Sequence, residues 1–342
     1  MNGSSIEDFE LDARGVLRVS NSKCDRERSL LLAGFDPDDI AVRHFGARRE
    51  AFQSPLAIAL GNQFESGLYA NNAERLVKAY VEAKRLKADA VVVDLTNDID
   101  RVRKTLGYVT AKGAGDEAPD IIIQGGLTLE AFGAPASVIR PDILVAERGK
   151  GGEPLPFYRP GEVKSYESRE GYTSEEDIGS SAAQAAVALL ALAFLDERYV
   201  PATPFVDIVL RRPSGMFPII HPIPAARDLH RLRIAAKEDH GFVQALLRLH
   251  NVKEDSAAFK SEVSRIPTRY EPTCLQRCGF ARECRAEARG AGEPGAIDAG
   301  AAALLPGNLD LLLKPEQLGD TYEANMLRAA LLAIDEALEA EP

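Results

Sequence analysis

Apolar residues in the first half of the chain follow first a helical and then a strand-like spacing. From about Asn62 they recur every three or four residues, which predicts a core helix with Phe64, Leu68, Leu76 and Tyr80 on its buried face. Residues 91–95, apolar except for Asp94, and residues 119–127, which end in a glycine turn, predict strands, and residues 99–111 predict a helix between them. This alternation of helices and strands indicates an α/β fold.

A hairpin with polar residues at one end is expected next. An apolar run at 143–146 and a second strand through Val163 are joined by a segment rich in glycine and charge. Glu162 and Lys164 share a strand face, and closing the hairpin brings Asp142 beside Glu162. Two carboxylates with an adjacent ammonium are typical of a divalent-metal phosphodiesterase. The alternative is a surface hairpin with a weak Glu162–Lys164 ion pair.

The longest apolar stretch, Ala182 to Leu195, contains one polar residue, Gln184. It is too short to span a bilayer and predicts a buried helix, which Thr173 and Glu176 begin as a capping box. A buried amide needs hydrogen-bond partners. We therefore expect Gln184 to face the hairpin rather than water at the edge of the helix.

Later segments predict further elements. Residues 205–210 predict a strand, 226–250 an amphipathic helix and 321–338 an acidic amphipathic helix.

Glu65 has two interpretations. With Asn62 it matches a capping box at the start of the core helix. Alternatively, its carboxylate points inward beside Phe64 and reaches the metal or a metal-bound water.

Composition and charge narrow the class of protein. With 45% hydrophobic and 27% charged residues, the chain is typical of soluble globular proteins. Its net charge of −11 argues against a surface coated with basic residues, but nine acidic and only two basic side chains fall in residues 296–342. A local DNA-binding groove is therefore compatible with the charge. The N-terminal residues lack the features of a secretory signal, so we expect a cytoplasmic protein without a membrane partner.

Three of the four cysteines are clustered, as Cys274, Cys278 and Cys284 in a C-x3-C-x5-C pattern. In a cytoplasmic protein such a cluster favours metal or cluster ligation over disulfides or inert buried thiols. Cys24 is the one remaining cysteine that could complete a set of four ligands. Four thiolates suit either tetrahedral zinc or an iron–sulfur cluster.

These motifs together resemble a known superfamily. Pro141-Asp142 followed by Glu162-Val163-Lys164 resembles the PD-(D/E)XK nucleases. One distant cysteine before that core and three clustered ones after it are similar to the iron–sulfur branch of the RecB-type nucleases. That branch includes CRISPR-associated four-cysteine exonucleases and AddB-type helicase–nuclease subunits. The resemblance covers about residues 16–285.

The resemblance implies a fold and a set of site residues. The fold is an αβββαβ restriction-endonuclease-like core with a helical, cysteine-ligated region. The catalytic residues are Asp142, Glu162, Lys164 and Gln184. The Mg²⁺ or Mn²⁺ ligands are Asp142, Glu162 and the Val163 carbonyl, with Glu65 in the place of a commoner histidine. The ligands of a [4Fe-4S] cluster, with zinc as the lesser possibility, are Cys24, Cys274, Cys278 and Cys284.

We therefore expect four regions: an N-terminal arm (1–50), the nuclease core (51–225), a helical region with three cluster cysteines (226–290) and a flexible, acidic C-terminal segment (291–342). The expected activity is cleavage of DNA, single-stranded or with free ends, in repair, recombination or phage defence. A helicase or defence-complex protein is the expected partner. The alternative is a non-catalytic DNA-binding or scaffold subunit of such a complex.

Overall fold

A computed structural model describes most of the chain: residues 11–47, 55–132, 136–149, 152–167, 174–212, 217–237, 256–269 and 278–291, and the single positions 249, 252, 254, 274, 325, 326 and 329. The chain divides into two compact units. The first comprises Met1–Asn21 and Ala51–Val243, and the second Ser22–Glu50 and Gln244–Pro342.

The strands of the first unit form two sheets. In chain order the strands are β1 (Val92–Asp94), β2 (Ile121–Ile123), β3 (Leu127–Leu129), β4 (Ser137–Ile139), β5 (Ile143–Arg148), β6 (Pro154–Glu167), β7 (Phe205–Arg211) and β8 (Pro218–Pro224). Six of them form a mixed sheet in the order β1-β2-β5-β6-β7-β8, and β3 pairs with β4 separately. The pairs β1–β2 and β6–β7 are parallel, and the other pairs are antiparallel. The α/β class is thus confirmed.

Helices complete both units. The first unit holds α1 (Ala13–Asn21), α4 (Pro55–Glu82), α5 (Arg101–Ala114), α6 (Glu175–Leu195) and α7 (Ala226–Lys237). The second holds α2 (Asp25–Leu32), α3 (Pro37–Phe45), α8 (Ala257–Arg265) and α9 (Ala281–Ala291).

The main sheet buries apolar side chains on both faces. Helix α4 covers one face, where Phe64 and Leu76 pack against Ile143, Val163 and other strand residues. Helix α6 packs on β6 and β7. Because successive strand residues point to opposite faces, the neighbours of Val163 face away from the α4 side of the sheet. The alternation therefore turns Glu162 and Lys164 away from that core.

Helix α4 begins earlier than the sequence pattern predicted and is interrupted. It starts at Pro55, so Asn62 lies inside the helix and the capping-box interpretation of Glu65 is wrong. Ala70 has extended dihedrals, and Asn71, Asn72 and Ala73 have positive φ angles of 53°, 59° and 56°. The backbone changes direction there, between the half that carries Glu65 and the half that ends in Tyr80.

The long apolar helix is confirmed as a core element. Ser174, not Thr173, caps α6: its hydroxyl accepts hydrogen bonds from the N–H groups of Glu176 and Asp177. By length and composition α6 could cross a membrane, but 67% of its most apolar window is buried inside the protein.

Of the two later helices predicted from the sequence, one is described in part. Helix α7 forms the start of the predicted 226–250 segment, and residues 238–248 lie outside the described residues. Most of the predicted helix over 321–338 also lies outside them, although 325, 326 and 329 are helical.

In the second unit, a fully buried arginine joins the helices. Arg26 in α2 forms an ion pair with Glu287 at 3.0 Å and donates to the Ser264 carbonyl, also at 3.0 Å. Its guanidinium also lies over the Phe280 ring, 5.7 Å from the centroid. These contacts connect segments about 240 residues apart in the sequence.

Candidate active site

The predicted hairpin is present and places Asp142 beside the strand that carries Glu162. Strands β5 and β6 are antiparallel, with Ile143 opposite Gly161. The Val163 N–H donates to Asp142 Oδ2 at 2.8 Å, and the Gln124 side chain donates to Asp142 Oδ1 at 3.1 Å. The Asp142 carboxylate is therefore held from two sides.

Lys164 connects the hairpin to helix α6. Its ammonium donates to Glu162 Oε1 at 2.6 Å and to Gln184 Oε1 at 3.1 Å. This confirms that Gln184 faces the hairpin and not the solvent. Only about a fifth or less of each ion-pair side chain is exposed, 19% for Lys164 and 15% for Glu162. An ammonium has three donors, so one remains for a further partner.

The clustered carboxyl groups are costly to ionise together. Burial and the neighbouring Asp142 charge raise the pKa of Glu162 from 4.5 to about 7, although Lys164 opposes the shift. Burial raises the pKa of Asp142 as well, against the lowering effects of the Val163 N–H and Lys164. Burial and Asp142 likewise raise the pKa of Glu65. Glu65 is therefore close enough to Asp142 to share its electrostatic environment.

Three further residues surround this group. Gln124 ends the β2 segment and has a positive φ of 50°, which aims it at Asp142. The buried Tyr69 hydroxyl, one helical turn after Glu65, lies toward Gln124 without a well-formed hydrogen bond. The exposed Arg14 in α1 lowers the pKa of both Asp142 and Glu162.

Sequence reasoning assigned no role to these three residues. The position of Gln124 at the end of a buried strand and the i+4 spacing of Tyr69 from Glu65 were available signals. Nothing in the sequence pointed to Arg14.

The donor set is compatible with a small divalent cation. Mg²⁺ is commonly held by one or two carboxylates, with waters and substrate oxygens completing its ligands. Asp142 and Glu162 provide two such carboxylates, and a cation beside them would offset the cost of burying their charges, which raises the pKa of both. Over the described part of the chain, no group of three or more His, Cys, Asp or Glu side chains is arranged to hold a metal ion.

All four cysteines belong to the second unit, and none of them forms a disulfide. The Cys284 sulfur is buried and accepts a hydrogen bond from Arg26 Nη1 at 3.6 Å. Burial raises the pKa of Cys284 to about 12, and the nearby Cys24 and Cys274 contribute to that shift. Burial likewise raises the pKa of Cys278, with contributions from Cys284 and Cys274. Cys24 and Cys274 are therefore near enough to Cys284 to influence its ionisation.

Three comparisons, with protein-family models, with curated proteins and with solved structures, find no match to this chain.

Proposed function

We propose that this chain is a metal-dependent deoxyribonuclease of the PD-(D/E)XK type that hydrolyses phosphodiester bonds in single-stranded DNA or at DNA ends. The observation that carries the proposal is the set of direct contacts among Asp142, Glu162, Lys164 and Gln184. The Asp142 carboxylate accepts a hydrogen bond from the N–H of Val163, which lies between Glu162 and Lys164 in the sequence. The Lys164 ammonium donates to both Glu162 and Gln184. A hairpin with no catalytic role has no need of buried carboxylates with raised pKa values.

Each of the site residues has a proposed role that follows from its chemistry. Asp142, Glu162 and the Val163 carbonyl would hold Mg²⁺ or Mn²⁺, with Glu65 contributing directly or through water. A bound ion of this kind supplies an activated water and neutralises phosphoryl charge. Lys164 directs its remaining N–H toward the attacking water or a phosphoryl oxygen. Gln184 positions Lys164 by accepting its second hydrogen bond.

The accompanying proposals rest on the resemblance and on the grouping of the cysteines. The four thiols would bind a [4Fe-4S] cluster that stabilises the second unit. The biological setting would be the cytoplasm, within a repair, recombination or phage-defence assembly that includes a helicase or another protein partner.

A cleavage assay with Mg²⁺ or Mn²⁺ on single- and double-stranded DNA, with free and blocked ends, tests the function. We expect Lys164→Ala to lower the cleavage rate about 100-fold or more, because a donor to the developing charge is lost. Lys78→Ala, an exposed lysine in α4, is the control and should leave the rate unchanged. Cleavage of substrates with free ends but not of substrates with blocked ends would identify an exonuclease.

A second pair of variants tests the positioning role of Gln184. Gln184→Ala should lower the rate about tenfold, as loss of an outer-shell partner typically does. Gln63→Ala, exposed on α4, should leave it unchanged. Cleavage that is unaffected by Lys164→Ala would exclude this mechanism. Absence of cleavage by the wild-type protein would favour the scaffold alternative.

A further inference from the structure

A cavity of about 310 Å³ opens at the opposite end of strand β5 from Asp142. It lies between the segment that follows α4 and the end of β5, with Gly149 and Gly152 also in its lining. Four cationic side chains and one carboxylate line it: Lys84, Arg85, Lys87, Arg148 and Glu147. Asp142 and Arg148 are six residues apart along an extended strand, about 20 Å. This cationic cavity is therefore separate from the candidate active site.

Three carboxylates near the cationic cavity are bonded to other groups, and a fourth, the exposed Glu153, lies beside the lining residue Gly149. Glu147 pairs with Arg159, and the fully buried Asp207 binds Arg85 at 2.6 Å. Asp120 outside the cavity accepts from Arg148 Nη2 at 2.9 Å. These pairs fix the two guanidinium groups.

Two of the cationic side chains that line the cavity are not paired with a carboxylate of the described part of the chain. Lys84 and Lys87 are exposed and form no ion pair with any residue that the structure describes. Arg148 Nε is buried, and it too makes no hydrogen bond within the described chain. A buried N–H without a partner costs free energy, which a bound acceptor would recover.

The segment that carries the two lysines is held in place. Lys84 has a φ of 57°, a left-handed conformation that is unfavourable for a residue with a side chain. The N–H of Lys84 donates to the Val81 carbonyl at 2.9 Å, and that of Arg85 to the Tyr80 carbonyl, also at 2.9 Å. The backbone that carries the two lysines is therefore fixed before an anion binds, which lowers the entropic cost of binding.

We infer that the cationic cavity binds a phosphate monoester. Guanidinium and ammonium groups are the usual protein donors to phosphate oxygens, and two lysines beside two fixed arginines match a dianion. The cavity has the volume of a small-molecule site. A nucleic-acid backbone would instead need a continuous basic groove. The phosphoryl group could belong to a free mononucleotide or to the end of a DNA strand.

Calorimetric titrations in chelator-containing buffer test this inference, because no cleavage occurs there and the result does not depend on the proposed nuclease activity. The probes are inorganic phosphate, deoxyadenosine monophosphate, deoxyadenosine, and one oligonucleotide with a 5′-phosphate or a 5′-hydroxyl. We expect saturable binding of the monophosphate but not of deoxyadenosine. Lys84→Gln and Lys87→Gln should each weaken it about tenfold, the loss expected for a charged hydrogen bond. Lys78→Gln, exposed but outside the cavity, should not.

The probes also separate the two sources of the phosphoryl group. Tighter binding of the mononucleotide than of inorganic phosphate supports a free nucleotide. A preference for the 5′-phosphorylated oligonucleotide that either lysine variant removes supports a strand end. Absence of saturable monophosphate binding overturns the inference, and so does binding that neither lysine variant weakens.

Discussion

The Val163 N–H donates a hydrogen bond of 2.8 Å to Asp142 Oδ2, so the strand that carries Glu162 also fixes the Asp142 carboxylate. The geometry of the carboxylate pair is thus set by the backbone of the hairpin. The charge of Asp142, in contrast, is disfavoured by burial, which raises the pKa of this carboxyl group. Geometry and charge at this residue can be separated by substitution.

Asp142→Asn should abolish cleavage without lowering stability. The amide oxygen can still accept the Val163 N–H, while a buried negative charge beside Glu162 is removed. We expect activity to fall about 100-fold or more and the melting temperature to stay the same or rise. Asp116→Asn, an exposed carboxylate, should change neither quantity. A large drop in melting temperature for Asp142→Asn would mean that the ionised carboxylate is needed for folding.

Gly161→Ala should destabilise the hairpin next to Glu162. A Cβ at this position would lie 2.7 Å from Ile143 Cγ1 and 3.2 Å from the Asp207 carbonyl oxygen. We expect a loss of about 1–3 kcal/mol in the free energy of unfolding, measured in denaturant, because neither neighbour can move freely in the core.

The control for this variant is Gly107→Ala. Gly107 lies inside α5 and has open space around its Cβ position, so this change should raise stability by about 0.5–1 kcal/mol. Equal effects of the two substitutions would mean that β6 adjusts to the added methyl group.

The parts of the site predicted from the sequence are those fixed by local periodicity. Strand alternation placed Glu162 with Lys164, and the hairpin register placed Asp142 beside them. Gln184 could be assigned because it is the one polar residue in the apolar stretch 182–195. Arg14 could not, because it approaches the carboxylates only through the packing of α1 against α6. Tertiary contacts of this kind leave no periodic signal in the sequence.

The fold, like the site, could be predicted from the sequence only in part. Strands β1, β2, β5, β6 and β7 of the main sheet were predicted, but the start of α4 and its interruption at Ala70–Ala73 were not. No glycine or proline marks that change of direction, and Asn71 and Asn72 are residues that tolerate a positive φ without requiring it. The β3–β4 pair was also missed, because three-residue strands are too short to show alternation.

Asp207→Ala should be strongly destabilising. This fully buried carboxylate accepts from the Tyr80 hydroxyl at 2.9 Å, from Arg85 at 2.6 Å and from Arg159 at 3.3 Å. Its removal leaves two largely buried guanidinium groups without that anion, which costs about 3–5 kcal/mol. Asp100→Ala, which breaks an exposed pair with Arg103, should cost less than about 1 kcal/mol. Denaturant unfolding of both variants measures the difference, and similar losses would contradict the structural role of Asp207.

Anaerobic purification should give a brown protein that contains iron and acid-labile sulfide in equal amounts. Cys284→Ser should remove colour and iron and lower the melting temperature, because a cluster bound by the folded state contributes to its stability. Ser22→Ala is the matched control: it removes the hydroxyl that accepts from the Cys24 N–H at 3.1 Å but keeps all four thiols, so the colour should remain. A colourless wild-type protein that contains zinc would show that the cysteines bind zinc and not an iron–sulfur cluster. The proposed nuclease activity does not depend on that outcome, because the candidate active site lies in the other unit.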